Sequence, residues 1–118
     1  MAVAYQKYLA GLEKQQEVLA GISDALMETF AMESVLLRRR KLGDRAGIAA
    51  EACPVFLRDA ATRLEATART VLAACSEGDA LRTNLAMLRR FAKYEPVDAV
   101  AARRRIAGRL LELGRYTV

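Results

Sequence analysis

Residues 30–42, FAMESVLLRRRKL, place one carboxylate, Glu33, among apolar side chains and end in four consecutive cations. A carboxylate in apolar surroundings has a raised pKa and can act as a general acid or base. Such chemistry needs a second acid, a nucleophile or a metal ligand, and the sequence brings none of these next to Glu33. We therefore interpret Glu33 as a partly buried carboxylate that pairs with an arginine of a facing helix.

The sequence contains two short runs of cations, one at residues 38–41 and the other at residues 103–105. Each run spans about a helical turn, so its side chains point several ways instead of lining one groove-fitting face. We favour a solvated or interface-pairing role, and keep an anionic membrane surface and nucleic acid as alternatives. The residues predicted at a possible interface are Arg38, Arg39, Arg40, Arg104 and Tyr116.

Most site chemistries lack their residues in this chain. Histidine is absent, which removes the commonest general base and metal ligand. Gly-rich phosphate loops, paired-cysteine motifs and serine elbows are also missing. Cys53 and Cys75 would lie about 33 Å apart on one helix, too far for a disulfide, so we predict buried thiols in a reducing cytoplasm. We predict no catalytic, cofactor-binding or metal-ligating residue in this segment.

The composition predicts the elements that carry these residues. The chain has 118 residues, of which 53% are hydrophobic, with two prolines and a formal net charge of +5. Its β-branched residues are too scattered to form alternating strands, so we predict an all-α fold. Its length suits a single helical domain over residues 1–118.

The apolar periodicity predicts four helices. Residues 2–42 form the first, with a break near Gly11 and an end at Gly43; its predicted core stripe is Leu12, Leu19, Ile22, Leu26, Phe30 and Leu37. The second covers residues 44–75, with Pro54 either kinking it or separating its first turns; its stripe is Cys53, Leu57, Ala60, Leu64, Ala68, Val71 and Cys75.

The two remaining helices are shorter. Ser76 and Asp79 predict a capping box for the third, whose stripe is Leu81, Leu85, Leu88 and Phe91. Glu95 or Asp98 caps the fourth and Gly114 ends it; its stripe is Val100, Ile106, Ala107, Leu110 and Leu113. Together these segments predict an antiparallel bundle of about four helices, two long and two shorter.

Residues 16–41, QEVLAGISDALMETFAMESVLLRRRK, resemble the C-terminal helical extension of acyl-CoA dehydrogenases of the very-long-chain type. The ending ARRRIAGRLLELGRYTV is also similar to the way bacterial members end. The likeness is strongest at residues 15–41 and 96–118 and weak at residues 44–75. The matching residues of the first run are Gln16, Glu17, Leu19, Ile22, Asp24, Phe30, Ala31, Met32, Glu33, Ser34, Leu36, Leu37 and Arg38; those of the ending are Arg104, Ile106, Ala107, Gly114, Arg115 and Tyr116.

The resemblance implies a non-catalytic accessory domain cut from a larger enzyme of fatty-acid β-oxidation. In that family an FAD-binding body oxidises the acyl thioester and supplies the catalytic glutamate, to which Glu33 does not correspond. The extension packs onto that body and is linked to dimer assembly, so we expect the body and a second subunit as partners. The membrane-associated stretch of mitochondrial members has no apolar counterpart here, so membrane binding is not predicted. A free-standing basic module that binds nucleic acid or an anionic surface is the alternative.

Overall fold

The computed structural model describes residues 1–115, which fold as five α-helices without a β-strand. The all-α prediction, with two long and two shorter helices, is confirmed, and a seven-residue helix precedes them. The helices are α1 (Ala2–Tyr8), α2 (Gln16–Leu42), α3 (Ile48–Cys75), α4 (Gly78–Phe91) and α5 (Ala99–Leu113).

Short 3₁₀ segments flank α2 on both sides. The first covers Leu9–Lys14 and confirms the predicted break near Gly11. The second covers Gly43–Ala46 and follows the predicted end of α2 at Leu42. Gly43 has a φ of +53°, in the left-handed region where a residue without a Cβ is favoured.

Pro54 lies inside α3, which continues through it without a break. The 3₁₀ segment Gly43–Ala46 precedes α3 as a separate element, and Gly47, with a φ of +47°, follows it. Pro54 is exposed, and its missing N–H removes one helical hydrogen bond. Packing on both sides of this position is therefore enough to keep the helix continuous.

The capping box predicted at Ser76 and Asp79 is wrong. The N-cap of α4 is Glu77, and no side chain caps it. Ser76 is buried at the end of α3, where its hydroxyl donates to the carbonyl oxygen of Leu72 at 2.7 Å. The amide of Asn84 donates to the same hydroxyl at 3.4 Å. The Ser76 hydroxyl therefore binds in the last turn of α3, at a carbonyl that also accepts the backbone N–H of Ser76, and does not cap α4.

Both ends of α5 follow local rules. Of the two predicted N-caps, the structure uses Asp98, whose Oδ1 accepts a hydrogen bond from the backbone N–H of Ala101 at 2.9 Å. Gly114 ends the helix with a left-handed φ of +62°. These are the usual side-chain cap at a helix start and the usual glycine at its end.

The contacts divide the chain into two compact units, and α2 and α3 contribute to both. Unit 1 contains residues 1–29 and 61–93. Its core is Ala4, Val18, Ile22 and Cys75, with Val3, Tyr8, Leu12 and Val71 packed against it. The Tyr8 hydroxyl and the Lys7 ammonium both donate to the carbonyl oxygen of Ala74, at 3.0 and 2.9 Å, so α1 helps to satisfy the end of α3.

Unit 2 contains residues 30–60 and the chain from Tyr94 onward. Val55 of α3 packs with Ala99 and Ala102 of α5. The other buried residues of this unit are Ala46, Ile48, Cys53 and Ala60. The contact between α5 and α3 therefore has a core of mostly small side chains.

Several residues of the predicted stripes face solvent instead. Leu26, Phe30 and Leu37 of α2 are 57%, 72% and 54% exposed. Ile22 is the buried member of the predicted α2 stripe, and Val18, which the stripe omits, is buried with it in the core of unit 1. The same correction applies to further predicted stripe residues: Phe91, Val100, Ala107 and Leu113.

Candidate functional site

Glu33 is exposed on α2, so the prediction that it is partly buried is wrong. No residue of the described range 1–115 forms an ion pair with it. On α3, Arg63 binds a different carboxylate of α2, Glu28, with a distance of 3.1 Å between Nη2 of Arg63 and Oε2 of Glu28. The sequence did not identify Glu28 as the partner of an α3 arginine, because that pairing can be recognised only when the face of α2 that packs on α3 is known.

Glu33 lies between the exposed residues Phe30 and Leu37 on one face of α2. The spacings of three and four residues place these side chains beside one another along a helix. We call Phe30, Glu33 and Leu37 the outer α2 face. All three belong to unit 2.

The cations at the end of α2 differ in their surroundings. Arg38 and Arg40 are exposed, whereas Arg39 is half-buried and donates to the carbonyl oxygen of Gly43 at 3.5 Å. Cations in the last turn of a helix interact favourably with its free carbonyls. Their role at an interface stays a prediction, and Tyr116 lies outside the described residues.

The second basic run divides between α3 and solvent. Arg103 pairs with Asp59, and Arg105 pairs with Glu51 through its Nε and Nη2 at 3.1 and 2.8 Å. Arg104, between them in sequence, is exposed. Two of these three cations therefore bind this chain's own carboxylates, which weakens the case for a phosphate-binding surface. The pairing was missed because the partners are 44 and 54 residues away.

These ion pairs change the titration of both carboxylates. The hydrogen bond from Arg103 lowers the pKa of Asp59, with a further contribution from the neighbouring charge of Arg58. The hydrogen bond from Arg105 likewise lowers the pKa of Glu51. Desolvation opposes both shifts without reversing them. Both side chains therefore stay ionised at neutral pH.

Cys53 and Cys75 are both buried and free, which confirms their predicted place in the core. Burial raises the pKa of each thiol above its usual value, so the reactive thiolate is disfavoured at neutral pH. Within residues 1–115, no group of three potential metal ligands lies together.

Unit 1 has an apolar groove of about 270 Å³ between its parts of α2 and α3. Thr29 contributes a hydroxyl to it, and no lysine or arginine side chain lines it. Its lining is Met1, Gly21, Ile22, Ala25, Leu26, Thr29, Ala68, Val71 and Leu72. The pyrophosphate of a flavin dinucleotide needs backbone N–H groups or cations, so this groove does not fit FAD.

None of the helices within residues 1–115 combines the length and the apolar character needed to cross a lipid bilayer.

The family model described as "Acyl-CoA dehydrogenase, C-terminal domain" matches residues 1–90. This chain belongs to that family. The acyl-CoA dehydrogenase C-terminal domain described here is 31% identical, over 121 residues, to a probable acyl-CoA dehydrogenase of Bacillus subtilis (strain 168). It also matches a crystal structure of an acyl-CoA dehydrogenase complexed with FAD from Bacillus anthracis, with 35% identity and a TM-score of 0.95.

The acyl-CoA dehydrogenase C-terminal domain spans about a fifth of the length of these relatives. It aligns over 98% of its own residues with 20% of the B. subtilis protein, and over 99% of its residues with 21% of the B. anthracis chain. The resemblance to acyl-CoA dehydrogenases is confirmed, while the very-long-chain type stays a prediction. Neither match supports the nucleic-acid alternative.

Proposed function

We propose that this chain is the non-catalytic accessory domain of an FAD-dependent acyl-CoA dehydrogenase of fatty-acid β-oxidation. The observation that carries the proposal is the match of nearly the whole chain to one fifth of a dehydrogenase complexed with FAD. The remaining four fifths of such a protein provide ample room for the flavin site and the catalytic residues. The accessory domain then acts by packing against that body.

The side chains within residues 1–115 support a packing role. Glu33, the one carboxylate considered as a catalytic acid, is exposed on α2 and is not buried among apolar side chains. The buried polar side chain, Ser76, is engaged by Leu72 and Asn84. Large apolar side chains are exposed on α2, as expected of a surface that a neighbour covers.

The test uses the longer protein that carries this chain, purified with FAD. We expect bound flavin and acyl-CoA-dependent reduction of an electron acceptor in the longer protein, and neither in the 118-residue chain alone. Glu33→Gln in the longer protein should leave the protonation chemistry intact, so the pH profile of kcat should keep its shape. Flavin binding or turnover by the isolated chain contradicts the proposal.

We also propose that the longer protein is a homodimer that this domain helps to assemble, and that it is cytoplasmic. The resemblance to dehydrogenases with a helical extension supports the dimer. Sedimentation of the longer protein, with and without this domain, measures the effect on assembly. An unchanged molecular mass after its removal contradicts the assembly role.

A further inference from the structure

We propose that the outer α2 face, Phe30, Glu33 and Leu37, docks on the dehydrogenase body at an apolar surface that carries an arginine or lysine. The inference rests on the proposed function, and it names the docking face and the chemistry of the surface that covers it. Phe30 and Leu37 supply the apolar contact, and Glu33 supplies the charge that the body must match.

The exposure of this face is the first argument. Phe30 is 72% exposed and Leu37 is 54% exposed, although both are large apolar residues. They flank Glu33 on the same side of α2, so the face is apolar at both ends and anionic in the middle. Exposed large apolar side chains that share one face and have polar neighbours mark an interaction surface.

The state of the two α3 carboxylates in unit 2 is the second argument. Glu51 and Asp59 lie on α3, and the chain itself provides an arginine for each. Glu33 receives no such partner from residues 1–115. Covering Phe30 and Leu37 also desolvates Glu33, so the covering surface must bring a cation to offset that cost.

The length of the relatives identifies the occupant. This fold recurs with a TM-score of 0.95 inside a chain of which it covers 21%, so a large body is present in the same polypeptide. A second copy is disfavoured, because a two-fold contact between outer α2 faces places Glu33 near its own counterpart.

Cysteine labelling in the longer, FAD-loaded protein tests the proposal. Leu37→Cys places a thiol on the proposed face, and mass spectrometry of the labelled peptide separates it from other thiols. We expect a maleimide to label Cys at position 37 at least about tenfold more slowly in the native protein than in urea, because covered sites react only after opening. Adding Glu33→Arg should remove most of this protection. The control Asp44→Arg, also a charge reversal at an exposed site of unit 2, should leave it intact.

Three results overturn the proposal. The first is labelling of position 37 as fast in the native protein as in urea. The second is protection that Glu33→Arg does not change while circular dichroism shows a folded protein. The third is protection that disappears when the protein dissociates on dilution, because a second copy then covers the face. Flavin absorbance and turnover of the same preparation test the proposed function separately: a yellow, active enzyme with a freely labelled position 37 overturns the docking face alone.

Discussion

At the scale of single residues, Gly21 allows the close approach of α2 and α3 in unit 1. A Cβ built at this position lies 2.7 Å from Cγ2 of Val71 and 3.6 Å from Cγ2 of Thr67. The first distance is well below van der Waals contact, and Val71 packs against the core of the unit. Glycine is therefore required here by packing, although it is a poor helix former.

Gly21→Ala should lower the free energy of unfolding. Alanine improves helix propensity by about 1 kcal/mol, while overpacking of a tight site costs about 1–3 kcal/mol, so we expect a net loss. Gly108→Ala in α5 is the matched control, because no atom lies within 4 Å of its added Cβ, and this variant should gain stability. Urea unfolding measures both, and a stabilised Gly21→Ala contradicts the packing argument.

At the scale of secondary-structure elements, α5 is held on α3 by small buried residues and by ion pairs. Its buried side chains are Ala99 and Ala102, which provide little apolar area. Arg103 and Arg105 bind carboxylates spaced two helical turns apart on α3. The position of α5 should therefore depend on pH more than that of a helix held by large apolar residues.

Lowering the pH should weaken the packing of α5 on α3. The pKa values of Glu51 and Asp59 are lower in the folded chain than in the unfolded one, so the unfolded state takes up protons first as the pH falls. Their stabilisation is present at neutral pH and is lost as the pH falls below about 4, the usual carboxyl pKa, toward the lower folded values. The double variant Glu51→Gln, Asp59→Asn should melt lower at pH 7.

The slope of melting temperature between pH 6 and pH 3 checks this expectation. The double variant no longer carries the two titrating groups, so its melting temperature should fall less steeply than that of the native chain. Glu95→Gln is a suitable control for removing an exposed carboxylate elsewhere in unit 2. Equal slopes for the native chain and the double variant contradict the role of these ion pairs.

At the scale of the whole molecule, some apolar residues of α2 pack inside the chain and others lie on its surface. Val18 and Ile22 pack within unit 1, whereas Phe30 and Leu37 of unit 2 are left for a surface outside the chain. The relatives, which are about five times longer, contain the mass that can cover such residues.

Truncating a buried and an exposed apolar residue of α2 should therefore affect stability differently, and the effect at the exposed residue should depend on whether the longer protein is present. In the isolated chain, Ile22→Ala should cost about 2–5 kcal/mol because it opens a cavity, and Phe30→Ala should change stability by less than about 0.5 kcal/mol because the site is exposed. In the longer protein Phe30→Ala should lower the melting temperature clearly. A large loss from Phe30→Ala in the isolated chain contradicts this division.

The sequence by itself determined the features that depend on neighbouring residues. Helix periodicity predicted the two long helices, and the left-handed preference of glycine predicted the ends at Gly43 and Gly114. The affinity of carboxylates for free backbone N–H groups limited the N-cap of α5 to Glu95 or Asp98, and the structure uses Asp98. A family resemblance then supplied the functional context, which composition alone does not contain.

Only the tertiary structure decided which of several locally acceptable options is used. The helical period of α2 allows both Ile22 and Leu26 as core residues, and the packing of unit 1 buries Ile22 with Val18 and leaves Leu26 exposed. Ser76 can bind at either of two helix ends, and its hydroxyl donates to the carbonyl oxygen of Leu72 in α3 instead of capping α4. The partners of Arg103 and Arg105 are distant in sequence. For α2 and the two arginines, the choice depends on a contact between segments that are distant in sequence. Sequence periodicity does not predict such contacts, because local patterns carry no information about which faces meet.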